Sequence, residues 1–220
     1  NMHMIFTGNP GTGKTTIARI LSKYLKAIGA LRGGQLVEVT RADLVGRYVG
    51  HTAPLTNTVI QSALGGVLFI DEAYSLYRGG EDSFGLEAID TLVKGIEDHR
   101  SDLVVILAGY TKEMQLFLSA NSGLASRFPN QIEFPDYTGA ELYKILLSIA
   151  KSKGYRLDES CEQPLTEWFD RRQAEDAATN GNGRMARNAL EKAILNQSRR
   201  LVADPDACLE LLLPGDFELE

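Results

Sequence analysis

The sequence predicts an α/β fold: a five-stranded parallel sheet covered by helices, followed by a small all-helical domain. Three observations carry that expectation. Short, continuously apolar runs alternate with helix-period segments up to about residue 137, the pattern of strand–helix units feeding a parallel sheet. A glycine-rich turn separates the first apolar run from the first helical segment. Beyond residue 137 the helical patterns continue, with no strand signal of comparable strength.

The strands are expected at 4–7, 36–40, 67–71, 103–108 and 131–134. The third and fourth, Val-Leu-Phe-Ile and Leu-Val-Val-Ile-Leu, are apolar at every position, as strands covered on both faces must be. Helices fill the intervals at 14–28, 55–63, 85–97 and 112–119, and Gly29 and the Gly65-Gly66 pair stand where left-handed helix stops are needed. Past Pro135-Asp136-Tyr137, Thr138 and Glu141 form a capping-box pair opening a helix to about residue 153. Further helices are expected at 162–177 and 184–202, hinged by the polar stretch 179–183. The organisation is therefore an α/β domain over 1–137 and a helical lid over 138–220.

Composition narrows the function classes. The chain has 220 residues, 44% hydrophobic and 24% charged, inside the ordinary soluble globular range, which sets aside disorder, collagen-like repeats and coiled coils. A net charge of −6 disfavours binding to phosphate backbones or anionic membranes. Cys161 and Cys208 form no Cys-x-x-Cys pair and have no histidine nearby, so they read as reduced thiols in helical segments of a cytoplasmic protein. No apolar run approaches the roughly 18 residues that span a bilayer. The opening Asn1-Met2-His3-Met4 has no signal-peptide pattern and runs straight into a strand, so the chain reads as a piece of a longer protein lacking its N-terminal part.

The chemistry begins at Gly8-Asn9-Pro10-Gly11-Thr12-Gly13-Lys14-Thr15, which fits G-x-x-x-x-G-K-[ST] between a strand and a helix. Glycines let backbone N–H groups turn inward around a phosphate chain, and the helix that follows aims its positive end at the same anion. Asn9, Pro10, Gly11, Thr12, Gly13, Lys14, Thr15 and Thr16 are the candidate phosphate-binding residues. Lys14 is suited to the β/γ oxygens and the Thr15 hydroxyl to Mg²⁺. The third strand ends in Asp71-Glu72, and strand carboxyl ends line the ligand crevice of a parallel sheet. Asp71 is the second candidate Mg²⁺ ligand, and Glu72 is placed to polarise the water that attacks the γ-phosphorus. The fold class is thus a P-loop NTPase sheet. A GTPase is disfavoured by the absence of Asn-Lys-x-Asp, and a small-molecule kinase by the absence of any acceptor-site pattern.

These residues together resemble an AAA+ ATPase module, through the loop GNPGTGKTT (8–16), the strand FIDEA (69–73) and the change of character after 137. The stretches RADLVGRYVGHT (41–52), GVLFIDEAYSL (66–76), VVILAGY (104–110) and GLASRFPNQIEFPDYT (123–138) are similar to the CbxX/CfxQ family. That family takes in red-type Rubisco activases, stage V sporulation K proteins and the ATPases of type VII secretion. The resemblance implies ATP and Mg²⁺ as cofactors, a homo-oligomeric ring (a hexamer), and a protein substrate that is remodelled or threaded. It assigns Arg127 as an arginine finger reaching a neighbouring subunit, Arg184 as the sensor-2 arginine with Arg187 as rival, and Tyr48-Val49-Gly50 as a pore loop. Tyr110 falls at sensor 1, where many members carry asparagine. Members also carry helices upstream of the first strand that help to form the adenine pocket. Two rivals stand beside this reading: a DNA-acting AAA+ protein of clamp-loader or initiator type, and a nucleotide-gated scaffold. Trp168 and Phe169 read as lid core, and Arg171, Arg172, Arg199 and Arg200 as solvated helix faces.

Overall fold

Strand order follows from which apolar runs need cover on both faces. In the computed structural model, which describes residues 1–220, the central strands are β1 (Met4–Gly8), β3 (Val67–Ile70) and β4 (Val104–Gly109). The less apolar β2 (Leu36–Val39) and β5 (Asn130–Phe134) take the two edges, giving the parallel order β2-β3-β4-β1-β5. Alternate residues of the central strands feed opposite cores. Ile5, Leu68, Ile70, Val105 and Leu107 pack with α3 (Thr52–Ala63), α4 (Ser83–Asp98) and α5 (Thr111–Ala120). Phe6, Val67, Phe69, Val104 and Ile106 face the other way, towards Ala18 and Leu25 of α1 (Lys14–Ala27). The short helices α2 (Arg41–Leu44) and α6 (Ser122–Ala125), and a 3-10 turn at Ala73–Leu76, were not legible as apolar periods.

The chain forms two compact units, Asn1–Gly8 with Gly13–Phe134, and Asn9–Thr12 with Pro135–Glu220. The tip of the glycine-rich loop therefore belongs to the second unit. That unit is built on α7 (Gly139–Ser152), α8 (Glu162–Asn180) and α9 (Gly183–Ala203), around Leu142, Leu146, Leu165, Phe169 and Leu190. The Thr138 hydroxyl accepts from the Glu141 amide at 3.2 Å and the Glu141 carboxylate from the Thr138 amide at 3.1 Å, closing the capping box. A two-residue parallel pairing of β6 (Arg156–Leu157) with β7 (Leu211–Leu212) is added to the helices. No helix is long and apolar enough to cross a membrane.

Three bland expectations change. Arg200 does not lie on a solvated face: its Nε and Nη2 each reach the buried Asp216 carboxylate at 3.0 Å, clamping the C-terminal turn onto α9. Arg172 covers the Trp168 ring with its guanidinium 5.0 Å from the centroid. Neither cysteine sits in an α-helix, because Cys161 is buried in a 3-10 turn and Cys208 is exposed in a loop.

His3 is buried just before β1, and its Nδ1 accepts the Val105 amide at 2.9 Å. Burial lowers its pKa to about 4. A base whose folded pKa lies below the unfolded value near 6.5 stabilises the fold above that value and loses the benefit as pH falls towards the folded one. We expect unfolding free energy to drop between pH 6.5 and 4, by at most about 3 kcal/mol from this residue. Urea titrations across that range check it, and His3→Asn, which keeps an acceptor but does not titrate, should flatten this component.

Candidate functional site

The five residues between β1 and α1 reverse the chain in a space that side chains could not share. Gly13 caps α1 in the left-handed region at φ 96°, where glycine pays no steric penalty. Gly11 has no room for a side chain, since a Cβ there would stand 2.0 Å from the Gly181 carbonyl oxygen.

Every carbonyl from Gly8 to Gly13 is engaged. Gly8 accepts from Lys14 Nζ at 2.7 Å, Asn9 from the Thr12 hydroxyl at 2.8 Å, and Pro10 from Asn182 Nδ2 at 3.3 Å. Gly11 accepts from the Gly183 amide at 2.9 Å, Thr12 from the Tyr137 hydroxyl at 2.8 Å, and Gly13 from the Ile17 amide at 2.9 Å. The peptides are all trans, so the N–H of each, except the Asn9–Pro10 bond, which has none, points opposite to its committed carbonyl. The polar groups that such a loop turns towards a ligand are therefore donors. Lys14 and Thr15 are half-buried and Thr16 is exposed on the first turn of α1, adding an ammonium and two hydroxyls beside those amides.

The loop tip is held within the second unit by Asn182, which sequence reasoning had passed over as hinge. Asn182 is fully buried at φ 48° and ψ −113°, a positive-φ conformation that side-chain-bearing residues rarely adopt. Besides Pro10, its Nδ2 donates to Asp136 at 3.0 Å, and its Oδ1 accepts from the Tyr137 amide and Gln173 Nε2 at 2.9 and 2.7 Å. Asn9 Nδ2 also reaches both Asp136 carboxylate oxygens, at 2.9 and 3.1 Å. An asparagine flanked by glycines was the only signal available.

Asp71 and Glu72 follow β3 and are exposed. Ile70 and Ile5 both lie opposite Leu107, so Asp71 comes level with Phe6, two residues below the end of β1. One strand, β4, separates them, a distance of about 10 Å at two sheet spacings. Glu72 has a left-handed backbone, φ 48° and ψ 47°, a strained state of the kind that concentrates at functional sites. The turn is fixed by the Asp71 carboxylate accepting the Glu72 amide at 2.9 Å, and by the Ser75 amide and hydroxyl donating to the Glu72 carbonyl at 2.9 and 2.7 Å. Tyr110, one residue past β4, is half-buried, and its ring lies 5.9 Å from Tyr74. Burial, then the negative charge of Glu72, pushes the Tyr74 phenol up to about 12.

Arg127 stands elsewhere. It precedes β5 by three residues, and Asn130 pairs with Met4, so it lies beyond the amino-terminal edge of the sheet, opposite to the acids and Lys14. Its guanidinium contacts Glu97 at the end of α4 and the Gly123 carbonyl, while its buried Nε has no partner. Tyr48 and Val49 are 67% and 86% exposed at the tip of the 45–51 loop, where Tyr48 meets His51 edge-on at 5.5 Å. Gly50 takes φ 83° beside them. In the second unit, Arg184 and Arg187 are both exposed, one turn apart on α9.

Comparison with known proteins identifies the family. Residues 4–136 match the family described as "ATPase family associated with various cellular activities (AAA)", and residues 138–220 match the AAA lid domain. Stage V sporulation protein K of Bacillus subtilis is 49% identical over 202 residues, covering 91% of this chain and 63% of that protein. The chloroplastic ribulose bisphosphate carboxylase/oxygenase activase of Cyanidioschyzon merolae is 46% identical over 205 residues, covering 93% of this chain and 69% of the activase. The chain thus spans slightly under two thirds of the sporulation protein's length. Among solved structures, the FIGL-1 AAA domain in complex with ADP superposes with a TM-score of 0.67 at 18% identity, over 98% of this chain and 69% of that one, a likeness of fold alone. The chain belongs to the AAA ATPase family, in the group that holds the CbxX/CfxQ proteins and stage V sporulation protein K.

Proposed function

We propose that the chain binds ATP on the 8–16 loop, hydrolyses it with Glu72, and uses the cycle to remodel a protein within a cytoplasmic hexameric ring of identical chains. The observation that carries the nucleotide site is the run of six committed carbonyls, which leaves a donor-lined turn at the head of a 14-residue helix. Such a turn favours an anion. The lysine beside it adds a point charge for the outer phosphates.

The Thr15 hydroxyl and the Asp71 carboxylate are hard oxygen donors of the kind Mg²⁺ accepts, and the ion when bound would neutralise triphosphate charge. Glu72 acts as the base that orients the attacking water, and Tyr110 between the two strands is the sensor of the γ-phosphate. Arg127 serves the site of an adjacent protomer, because its place across the sheet keeps it from its own. Arg184 is favoured over Arg187 for the lid's contact with nucleotide. Tyr48-Val49-Gly50, exposed and aromatic, grips an extended polypeptide. Two unpaired cysteines suit a reducing compartment.

Lys14→Ala tests the reading at its root. A charge-assisted contact is worth about 1.5–3 kcal/mol, or roughly 10- to 100-fold in affinity. Calorimetric titration with Mg-ATP should show that loss in a variant that still melts cooperatively. Wild-type affinity in the variant would remove the loop from the nucleotide site.

A further inference from the structure

The acidic turn and the exposed Tyr48 loop are joined through one residue that neither role uses, whose side chain meets the turn and whose carbonyl accepts the Val45 amide at the start of the loop at 2.9 Å. Arg41 is the first residue of α2, the four-residue helix that runs into the loop. Its Nη1 donates to the Ser75 carbonyl at 2.8 Å, and its Nη1 and Nη2 reach the two Asp82 oxygens at 2.7 and 3.2 Å. Both side chains are largely withdrawn from solvent, at 17% and 16% exposure, and the guanidinium holds the Asp82 carboxyl below the usual carboxylate range. Asp82 in turn caps α4 by accepting the Gly85 amide at 3.2 Å. The junction has no slack on that side, because a Cβ at Gly85 would stand 2.2 Å from the Leu76 carbonyl oxygen and 2.4 Å from Asp82.

Ser75 is the residue whose amide and hydroxyl hold the Glu72 carbonyl. The other end of the same turn is tied to the same junction, since the Asp71 amide donates to the Val39 carbonyl at 2.9 Å. Residues 71–75 are therefore clasped at both ends by residues 39–41. The clasp is stiff: the Thr40 amide donates to Asp43 at 2.9 Å, and the Leu44 carbonyl accepts the buried Thr56 hydroxyl at 2.8 Å. Beyond it the loop base closes through the Gly46 amide on the Thr52 hydroxyl at 3.0 Å. An open cavity of about 350 Å³, lined by Arg41, Val45, Gly46 and Phe84 among others, borders the base and leaves it space to shift.

We propose that Arg41 is a positioning residue that couples the Glu72 turn to the 45–51 loop, so that a change in the turn moves the loop and the reverse. The coupling is reciprocal, as any linkage between two sites must be. It rests on the nucleotide site proposed above. A planar fork is what the junction needs, because one guanidinium must serve a carbonyl and both oxygens of a carboxylate at once; a lysine ammonium is a point charge without that geometry.

The test is hydrogen exchange on the amides of residues 46–51, in the protein alone and saturated with a non-hydrolysable Mg-ATP analogue. In the parent protein the analogue should change exchange at these amides at least fivefold. In Arg41→Lys, which keeps the charge, and in Arg41→Met, which keeps only the stem, the change should fall below twofold while analogue affinity stays within threefold. Arg41→Lys guards against unfolding of the harsher variant. A variant that binds analogue and keeps the parental response overturns the proposal, as does a parent whose 46–51 amides do not respond. A parent that does not bind the analogue at all overturns the nucleotide reading itself, a separate and recognisable failure.

Discussion

Glu72→Gln is expected to bind ATP within threefold of the parent and to hydrolyse it at least about 100-fold more slowly, the scale of a lost general base. Glutamine keeps the size of the side chain and removes only its charge and basicity. The backbone of the turn does not depend on the carboxylate, because its hydrogen bonds run through the Glu72 amide and carbonyl. In the proposed site, binding is assigned to the loop amides and Lys14, which follow a different strand, β1. Comparing single-turnover phosphate release with equilibrium binding of Mg-ATP separates the two effects. Parental turnover in the variant would remove Glu72 from its role.

The second large effect is expected at Arg127. Supplying an arginine to a neighbour's transferring phosphate is worth about 10³- to 10⁵-fold in turnover, so Arg127→Ala should be nearly inactive. The fold should survive, since the partly exposed pair with Glu97 belongs to a class worth about 0.2–1 kcal/mol. Position makes a sharper statement. Arg127 lies at the edge of the sheet opposite to Glu72, so the two residues should serve different sites. Mixing Arg127→Ala with Glu72→Gln, each inactive, should restore turnover, because in mixed rings some interfaces pair an intact Glu72 with an intact Arg127. Absence of restored activity in rings shown to exchange subunits would place the arginine in its own chain's site or outside catalysis.

The sequence disclosed what is written in contiguous residues. Gly8 to Thr15 carries its own spacing, and Asp71-Glu72 follows an apolar run whose length and flanks mark a strand. The capping box at Thr138 was legible for the same reason, with its two halves three residues apart. What stayed hidden has partners far along the chain. Asn182 reaches Pro10 across 172 positions, and Arg41 meets Asp82 across 41. Neither periodicity nor propensity records such pairings, because they are set by tertiary packing between distant segments. Arg200 looked like a solvated charge until the C-terminal turn brought Asp216 back to it. His3 offered only an imidazole before a strand, and its burial depends on β4 lying beside β1. The place of Arg127 likewise emerges only from the parallel register of β5 with β1.

The most direct measurement is the structure of Glu72→Gln with Mg-ATP bound. The account predicts the triphosphate on the 11–13 amides, Lys14 Nζ within about 3 Å of an outer phosphate oxygen, and Asp71 facing the metal. A triphosphate held elsewhere on the chain, or one whose outer phosphates turn away from Lys14 and Asp71, would contradict it.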